Sequence, residues 1–289
     1  MKSDRFEELE AWIGRTRTSV ATIDARQAEL MNATMQGRVS KAALCNVAIG
    51  SPVPEGWHWA WFQEAFPAAE LGRDGHPARG SFMPPIHLPR RMWAGSRLRF
   101  HKPLAIGMTA SRKTTITSIT PKSGRSGDLV FLTLLHETSA EDMLLVSEEQ
   151  DLVYRADPSP DSSPPPPQLP PSQGPLTLTR QVHPDPVWMF RYSALTFNGH
   201  RIHYDADYAR RVEGYRDIVF HAPLTATLLM DIARERLGTD RLAGFSFRAV
   251  SPLFNGEPFV IRAEATGNGA IAWAETPGGN LAMTAEATA

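Results

Sequence analysis

FRYSALTFNGHRIHYDADYARRVEGYRDIVFHAPLTATLLMDIARERL, from Phe190 to Leu237, sets a dense group of polar side chains directly before an apolar helix. Asn198, His200, Arg201, His203, Tyr204 and Asp205 fall within eight residues. Each of these, if buried, needs a hydrogen-bond partner, so a packed core rarely collects so many. The second half of the stretch predicts a helix. Pro223 suits a first turn, Leu224, Leu228, Ile232 and Leu237 form an apolar stripe, and Gly238 closes it. Two readings of the polar group are open at this point: a solvated loop with two histidines, or a site held at the start of a buried helix.

Strand patterns surround that helix. LAGFSFRAVSPLF, PFVIRAEATG, AIAWAETP and LAMTAEAT follow it, and from Arg97 onward LRFHKPLAIGMTASRKTTITSI, LVFLTLLHETSA and MLLVSEEQDLVYR precede it. Alternation, β-branched content and turn breakers make these curved antiparallel sheets. Between the two sets, DPSPDSSPPPPQLPPSQGP (157–175) has almost nothing to bury and reads as a semi-stiff linker. The halves also match each other at an offset of 149: Ala94/Ala243, Gly95/Gly244, Arg99/Arg248, Pro103/Pro252, Leu104/Leu253 and Gly107/Gly256 coincide without a gap. This pattern predicts two copies of one α+β unit, residues 1–156 and 176–289, joined by the 157–175 linker. At the same offset Pro54 stands opposite His203, so the first copy is the degenerate one.

Residues 4–30 place Phe6, Leu9, Trp12, Ile13, Val20, Ile23 and Leu30 near helical spacing, with Ser3 or Asp4 as cap, and are expected to form a packing helix. Residues 51–95 are rich in Pro, Gly and Trp and are expected to be loop, with one helical turn near Ala65 to Leu71. Trp57, Trp59 and Trp61 are either a pocket floor or ordinary core. The formal net charge of −1 gives no electrostatic case for a nucleic-acid partner. The single cysteine, Cys45, excludes an internal disulfide and points to a reducing compartment. MKSDRFEELEAW lacks the apolar run of a signal peptide, and no apolar span fits a membrane, so a cytoplasmic protein is expected.

A helix wrapped by a curved antiparallel sheet, duplicated, resembles the double hot-dog fold. The stretch from Asn198 to Asp205 resembles the hydratase motif of the MaoC-like enoyl-CoA hydratases. With RRMWAG at 90–95, FNGHRIHYD at 197–205 and HAPLTATLL at 221–229, the chain is similar to the branch that holds mesaconyl-C4-CoA and itaconyl-CoA hydratases and mitochondrial-type 3-hydroxyacyl-thioester dehydratases. The resemblance implies an acyl-CoA thioester substrate and no cofactor. It places His203 on the catalytic histidine and Asn198 where the family keeps an aspartate. It also puts Ala222 where a backbone amide meets the thioester carbonyl. An amide cannot take a proton, so a mechanism with two bases is in question.

Hydrating an α,β-unsaturated thioester requires a base for water, a proton for the α-carbon and fixed donors for the enolate oxygen. A histidine suits the proton transfer at neutral pH, and a helix N-terminus suits the oxyanion. Arg191 and Arg201 flank the motif, and Arg90 and Arg91 precede the first strands; a guanidinium in the acyl pocket would select a terminal carboxylate by bidentate pairing. His200 and His203 lack a third partner at a metal-site spacing, so no metal is expected. Asp205 would either orient His203 or cap a short helix. The competing expectations are a dehydratase of fatty-acid metabolism, a thioesterase using Asp231 on the helix, and a silent acyl-CoA-binding protein. Exposed strand edges leave a homo-oligomer of the fused pair open.

Overall fold

The structure is a computed structural model that describes residues 8–124, 127–158, 166–171 and 173–289. Ten strands form one antiparallel sheet: β1 (Thr16–Thr22), β2 (Arg90–Phe100), β3 (Thr109–Gly124), β4 (Gly127–Ala140), β5 (Met143–Arg155), β6 (Leu178–Val182), β7 (Gly244–Ala249), β8 (Phe259–Thr266), β9 (Gly269–Glu275) and β10 (Leu281–Thr288). Their order is β1-β3-β4-β5-β2-β7-β10-β9-β8-β6. Exchanging the halves leaves that order unchanged, with β2 and β7 at the centre.

The central pairing carries the offset found in the sequence. Gly95 faces Arg248 and Arg99 faces Gly244, with Arg97 opposite Ser246 in the middle. Shifting either outer pair by 149 residues gives the other, so a pseudo-twofold axis passes through the Arg97–Ser246 pair.

Beyond the helical residues 8–10, the described residues form the helices α1 (Ala25–Met35), α2 (Pro186–Leu195), α3 (Ala206–Arg211) and α4 (Ala222–Leu237), which complete the α+β architecture. Helix α4 is buried from Leu224 to Arg234 and lies against β7 to β10. Its all-round burial follows from small and apolar residues on every face (Ala226, Leu228, Leu229, Ala233), and Gly238 ends it in the left-handed region at φ 63°. The first half has no counterpart of this length. Val53 N–H bonds Leu104 O as Phe220 N–H bonds Leu253 O, which aligns the two halves here at an offset of 167. Where α4 would begin, the first half has Pro54, Glu55 and Gly56 and then a single 3-10 turn, Trp57–Ala60. Pro54 therefore stands opposite His221, not His203, because the first half has 18 more residues than the second between this segment and the sheet core (167 − 149).

Three other expectations are corrected. The expected 4–30 helix is broken: residues 8–10 are helical, 16–22 are strand β1, whose TRTSVAT alternates exposed and half-buried along the sheet edge, and α1 starts after Asp24, whose side chain accepts from Gln27 N–H at 2.8 Å. The proposed caps Ser3 and Asp4 lie outside the described residues. Strand β2 begins at Arg90 rather than Arg97, because RRMWAG pairs along β5 with a bulge between Trp93 and Gly95. The turn expected at 65–71 is the 3-10 turn Ala68–Glu70. Trp57 belongs to the core, whereas Trp59 and Trp61 reach a cavity between the halves. Cys45 is buried and its thiol is pushed up by that burial, as fits an inert structural residue. Among the described residues no helix is long and apolar enough to cross a membrane.

Candidate active site

Helix α2 opens on Asp185, which caps Trp188 N–H at 2.9 Å, and on Pro186 at its first position. Beyond its end Phe197 turns the chain back at φ 51°, and Asn198 N–H closes on Ser193 O at 2.8 Å. The Asn198 Oδ1 then accepts from His200 N–H at 3.1 Å, an Asx turn that leaves the Asn198 NH₂ without a partner among the described residues. One 3-10 turn, Arg201–His203, follows. Asp205 accepts from Tyr208 N–H at 2.9 Å and from Arg201 at 2.7 Å, so it caps α3 and does not touch His203.

His203 is held by the backbone instead. Its Nδ1 lies 2.7 Å from Val219 O, and a carbonyl only accepts, so Nδ1 carries the hydrogen and Nε2 keeps its lone pair. The ring stacks on His221, with centroids 3.8 Å apart and planes at 19°. His221 caps nothing with its side chain; its Nε2 sits 2.7 Å from Ser193 Oγ, and its Nδ1 is buried without a partner. Burial, then the neighbouring His221 and His200, pushes His203 well below its ordinary value. Burial and His200 likewise push His221 down to about 3. Both imidazoles are therefore neutral at pH 7. Immediately after His221, α4 presents the Ala222 N–H at its positive end, and Pro223 has no N–H to share the task.

A second layer fixes His200. Its Nε2 is 3.3 Å from Glu213 Oε1, which also accepts from Tyr208 OH at 3.3 Å, while Arg90 Nε donates to Glu213 Oε2 at 3.3 Å. A loop from the first half clamps the motif: Arg201 N–H bonds Asp74 O at 2.9 Å, and a Cβ on Gly75 would lie 2.0 Å from Gly199 O. That close approach brings the His76 ring to 4.4 Å from His200, with His76 Nδ1 on Asp74 Oδ2 at 3.1 Å. Asp74, His76 and His200 offer ligand atoms within 4.8 Å of one another. The Asp74 oxygens are already taken by His76, and Arg91 acts on both residues as a nearby positive charge. A cation would have to displace the first and oppose the second.

Asn198, His203, Ala222, Arg90 and Arg91 line one cavity of about 1700 Å³ between the halves. Arg191 and Arg201 do not: Arg191 is exposed on α2, and Arg201 is committed to Asp205 at the surface. Arg90 is buried against Glu213, so it holds the wall and is not free to meet substrate. Asp231, the carboxylate a thioesterase would need, faces away from the cavity and accepts from Ser40 Oγ at 2.6 Å and from Arg180 Nη1 at 2.5 Å. The sequence reading missed His221, His76, Asp74 and Glu213. His221 had a signal, since it directly precedes the helix; the other three reach the site only through tertiary contacts.

The sequence pattern of hydroxyacyl-thioester dehydratase type 2 matches residues 56–255. The chain belongs to this family. It is a MaoC-like hydro-lyase with the double hot-dog fold. Its sequence is 46% identical over 275 residues to the mesaconyl-C4-CoA hydratase of Chloroflexus aurantiacus, covering 95% of each chain. It is 28% identical to the mitochondrial hydroxyacyl-thioester dehydratase type 2 of Schizosaccharomyces pombe, over 82% of this chain and 86% of that one. Among solved structures, a MaoC-like dehydratase from Phytophthora capsici superposes with a TM-score of 0.68 at 15% identity, covering 98% and 97% of the two chains. A double-hotdog-fold protein of Mycobacterium tuberculosis gives 0.60 at 15%, covering 95% of each. The cavity brings together His203 with its bare Nε2, the Ala222 N–H at the start of α4 and the Asn198 side chain.

Proposed function

We propose that the protein hydrates a short dicarboxylic enoyl-CoA, mesaconyl-C4-CoA or itaconyl-CoA, reversibly to citramalyl-CoA. The observation that carries the reaction is the bare Nε2 of His203 in a cavity that also holds the Ala222 N–H. The substrate is inferred from the 46% identical relative. The proposal takes the chain as two repeats, 1–156 and 176–289, joined by 157–175, with the chemistry in the second. It places the reaction in the cytoplasm, supported by the one buried free cysteine.

For mesaconyl-C4-CoA, His203 Nε2 takes one proton of a water as the oxygen bonds to the β-carbon. The π electrons move to the thioester oxygen, where the Ala222 N–H holds the enolate. The new Nε2–H of His203 then delivers its proton to the α-carbon, and the carbonyl re-forms. One base serves both transfers, so no second carboxylate is required. The Asn198 NH₂ and Oδ1 position the water but move no proton.

The test is the loss of enoyl-thioester absorbance with mesaconyl-C4-CoA and crotonyl-CoA, and the formation of citramalyl-CoA from itaconyl-CoA, whose double bond is not conjugated to its thioester. His203→Ala is expected to cost about 10²- to 10⁴-fold in kcat/KM. Full activity in that variant rules out this site, and a preference for crotonyl-CoA moves the substrate to fatty-acyl metabolism. Binding without turnover leaves a silent acyl-CoA carrier.

A further inference from the structure

Six arginines line the cavity: Arg17, Arg90, Arg91, Arg112, Arg155 and Arg216. Four are committed. Arg17 pairs with Glu64, Arg90 with Glu213 and Arg216 with Glu257, and Arg112 donates to Phe62 O at 2.9 Å. Arg91 and Arg155 make no hydrogen bond or ion pair among the described residues. The two stand in different surroundings. Arg155, on β5, pairs with Arg90 on β2, and Arg90 and Tyr215 are the groups that act on it. Arg91 is near the Asp74–His76 pair, and His76 is followed by His200 at 4.4 Å and His203 at 5.5 Å between successive ring centroids.

The geometry points to Arg91 as the receptor for a substrate carboxylate carried on, or one bond from, the carbon that receives water. Asp74 takes none of its donors, because Oδ1 accepts from His76 N–H and Oδ2 is 3.1 Å from His76 Nδ1. The guanidinium donors are thus available to an incoming anion, on a residue half-buried in the cavity wall. The committed arginines would each have to break an existing bond to serve. Arg112 is set among Glu148, Glu64 and Arg17 of the first repeat, and its Nη2 already donates to Phe62 O. Placement next to the histidines selects for position as well as for charge. With the β-carbon at His203, the assignment calls for a carboxylate on or next to that carbon, in the cavity that His203 and Arg91 share, whereas an ω-carboxylate on a long chain would lie farther along it. The chemical class is therefore the 3-carboxy-2-enoyl thioester. The inference rests on the hydration reading above for the position of the reacting carbon.

The experiment compares kcat/KM for mesaconyl-C4-CoA and for 3-methylcrotonyl-CoA, the same thioester with its carboxylate replaced by methyl. Where the second is not turned over, its inhibition constant replaces kcat/KM. Effects common to both thioesters cancel in the ratio. Arg91→Gln is expected to lower the preference for the carboxylated substrate about 10- to 100-fold, the worth of one charge-assisted contact. Arg112→Gln and Arg155→Gln are expected to leave the ratio within about threefold, a change of well under 1 kcal/mol. An unchanged ratio in Arg91→Gln, or a shift produced by Arg155→Gln instead, overturns the assignment while leaving the hydratase standing. If the wild-type protein hydrates neither compound, the proposed reaction fails alone, and calorimetric titration with free mesaconate decides the site. Binding that Arg91→Gln abolishes supports it; no binding, or binding that survives the change, overturns it.

Discussion

At the first-repeat end of the cavity, Glu148 accepts from Ser96 Oγ at 2.6 Å and Trp59 Nε1 at 2.9 Å, with His58 Nε2 at 3.5 Å. His136 is held there between Thr114 Oγ1 at 2.8 Å and Gln150 Oε1 at 3.2 Å. At the second-repeat end, His203 spends one nitrogen on Val219 O and keeps the other, and the Ala222 N–H has no backbone partner. Both ends are buried and polar, and both descend from the same strand framework. They differ in what has been left unmade. A network whose donors and acceptors are mutually satisfied stabilises the fold and has nothing to offer a substrate. An unspent lone pair beside an unspent amide is costly to maintain and is what catalysis uses. The long helix accounts for the asymmetry: α4 supplies a free N-terminus, whereas Pro54 and Gly56 reduce its counterpart to one turn, and Trp59 fills part of the space.

The largest expected contrast comes from cutting Glu148. Glu148→Ala leaves three buried donors without their acceptor and is expected to cost about 3 kcal/mol of stability. Although burial alone would raise it, bonding from His58 and the charge of His136 hold Glu148 down to about 2, so a charge is lost as well. Urea denaturation reads the loss, while kcat/KM should stay within about threefold, a shift of roughly 0.7 kcal/mol. Collapse of activity in a variant that still folds would place chemistry in the first repeat and dissolve the contrast.

Much of this contrast was legible in the sequence. Pro223 and Gly238 located α4 to within one residue, because both signals act locally through backbone geometry. The offset of 149 was legible because β2 and β7 pair across the axis, and Gly95 and Gly244 repeat there. The same offset misled beyond the sheet, where 18 extra residues between Val53 and Leu104 in the first half bring His221, not His203, opposite Pro54. Strand β1 escaped notice because an edge strand buries little: Val20 is exposed, and TRTSVAT offers no apolar alternation. Arg191 and Arg201 lie close to the motif in sequence yet outside the site, since helix direction and the Asp205 cap turn them to solvent. Asp74, His76 and Glu213 carry no local mark: the clamp of Gly75 on Gly199 brings in the first two, and Tyr208 and Arg90 hold the third.

Acid should strain the two ends unequally. Burial pushes His221 and His76 down to about 3, His136 to about 4 and His203 well below its usual range, while in the unfolded chain all four titrate near 6.5. Between those limits the unfolded state binds more protons, so stability rises with pH and is lost as pH falls from about 6.5 towards 4. Each histidine contributes up to about 1.4 kcal/mol per pH unit in that window. Three of the four stand at the catalytic end, so His221→Gln and His136→Gln should each flatten the slope by one share, while only the former disturbs turnover. Denaturation midpoints measured at pH 6.5 and 5.0 check this. A wild-type slope no steeper than that of the double variant would mean that these imidazoles are not held neutral.

The smallest expected difference lies at the axis itself, where the repeats match most closely. Gly95 and Gly244 are equivalent by the 149 offset, yet their surroundings have diverged. A Cβ at residue 95 would come 2.3 Å from Phe247 O, a backbone atom in the pairing of β2 with β7 that cannot retreat without breaking the central ladder. A Cβ at residue 244 would meet Thr288 Oγ1 at 2.9 Å, a side-chain hydroxyl that can rotate, and then Leu98 O at 3.6 Å, an ordinary contact. Gly95→Ala is therefore expected to destabilise by about 2–3 kcal/mol, as overpacking against fixed backbone does, and Gly244→Ala by about 1 kcal/mol or less. The bulge between Trp93 and Gly95 lies only in the first repeat's strand, which is why the close approach falls on that side of the axis. Equal losses would mean that the centre of the sheet relaxes symmetrically. In that case the divergence of the two repeats would be confined to the cavity and would not reach the seam that joins them.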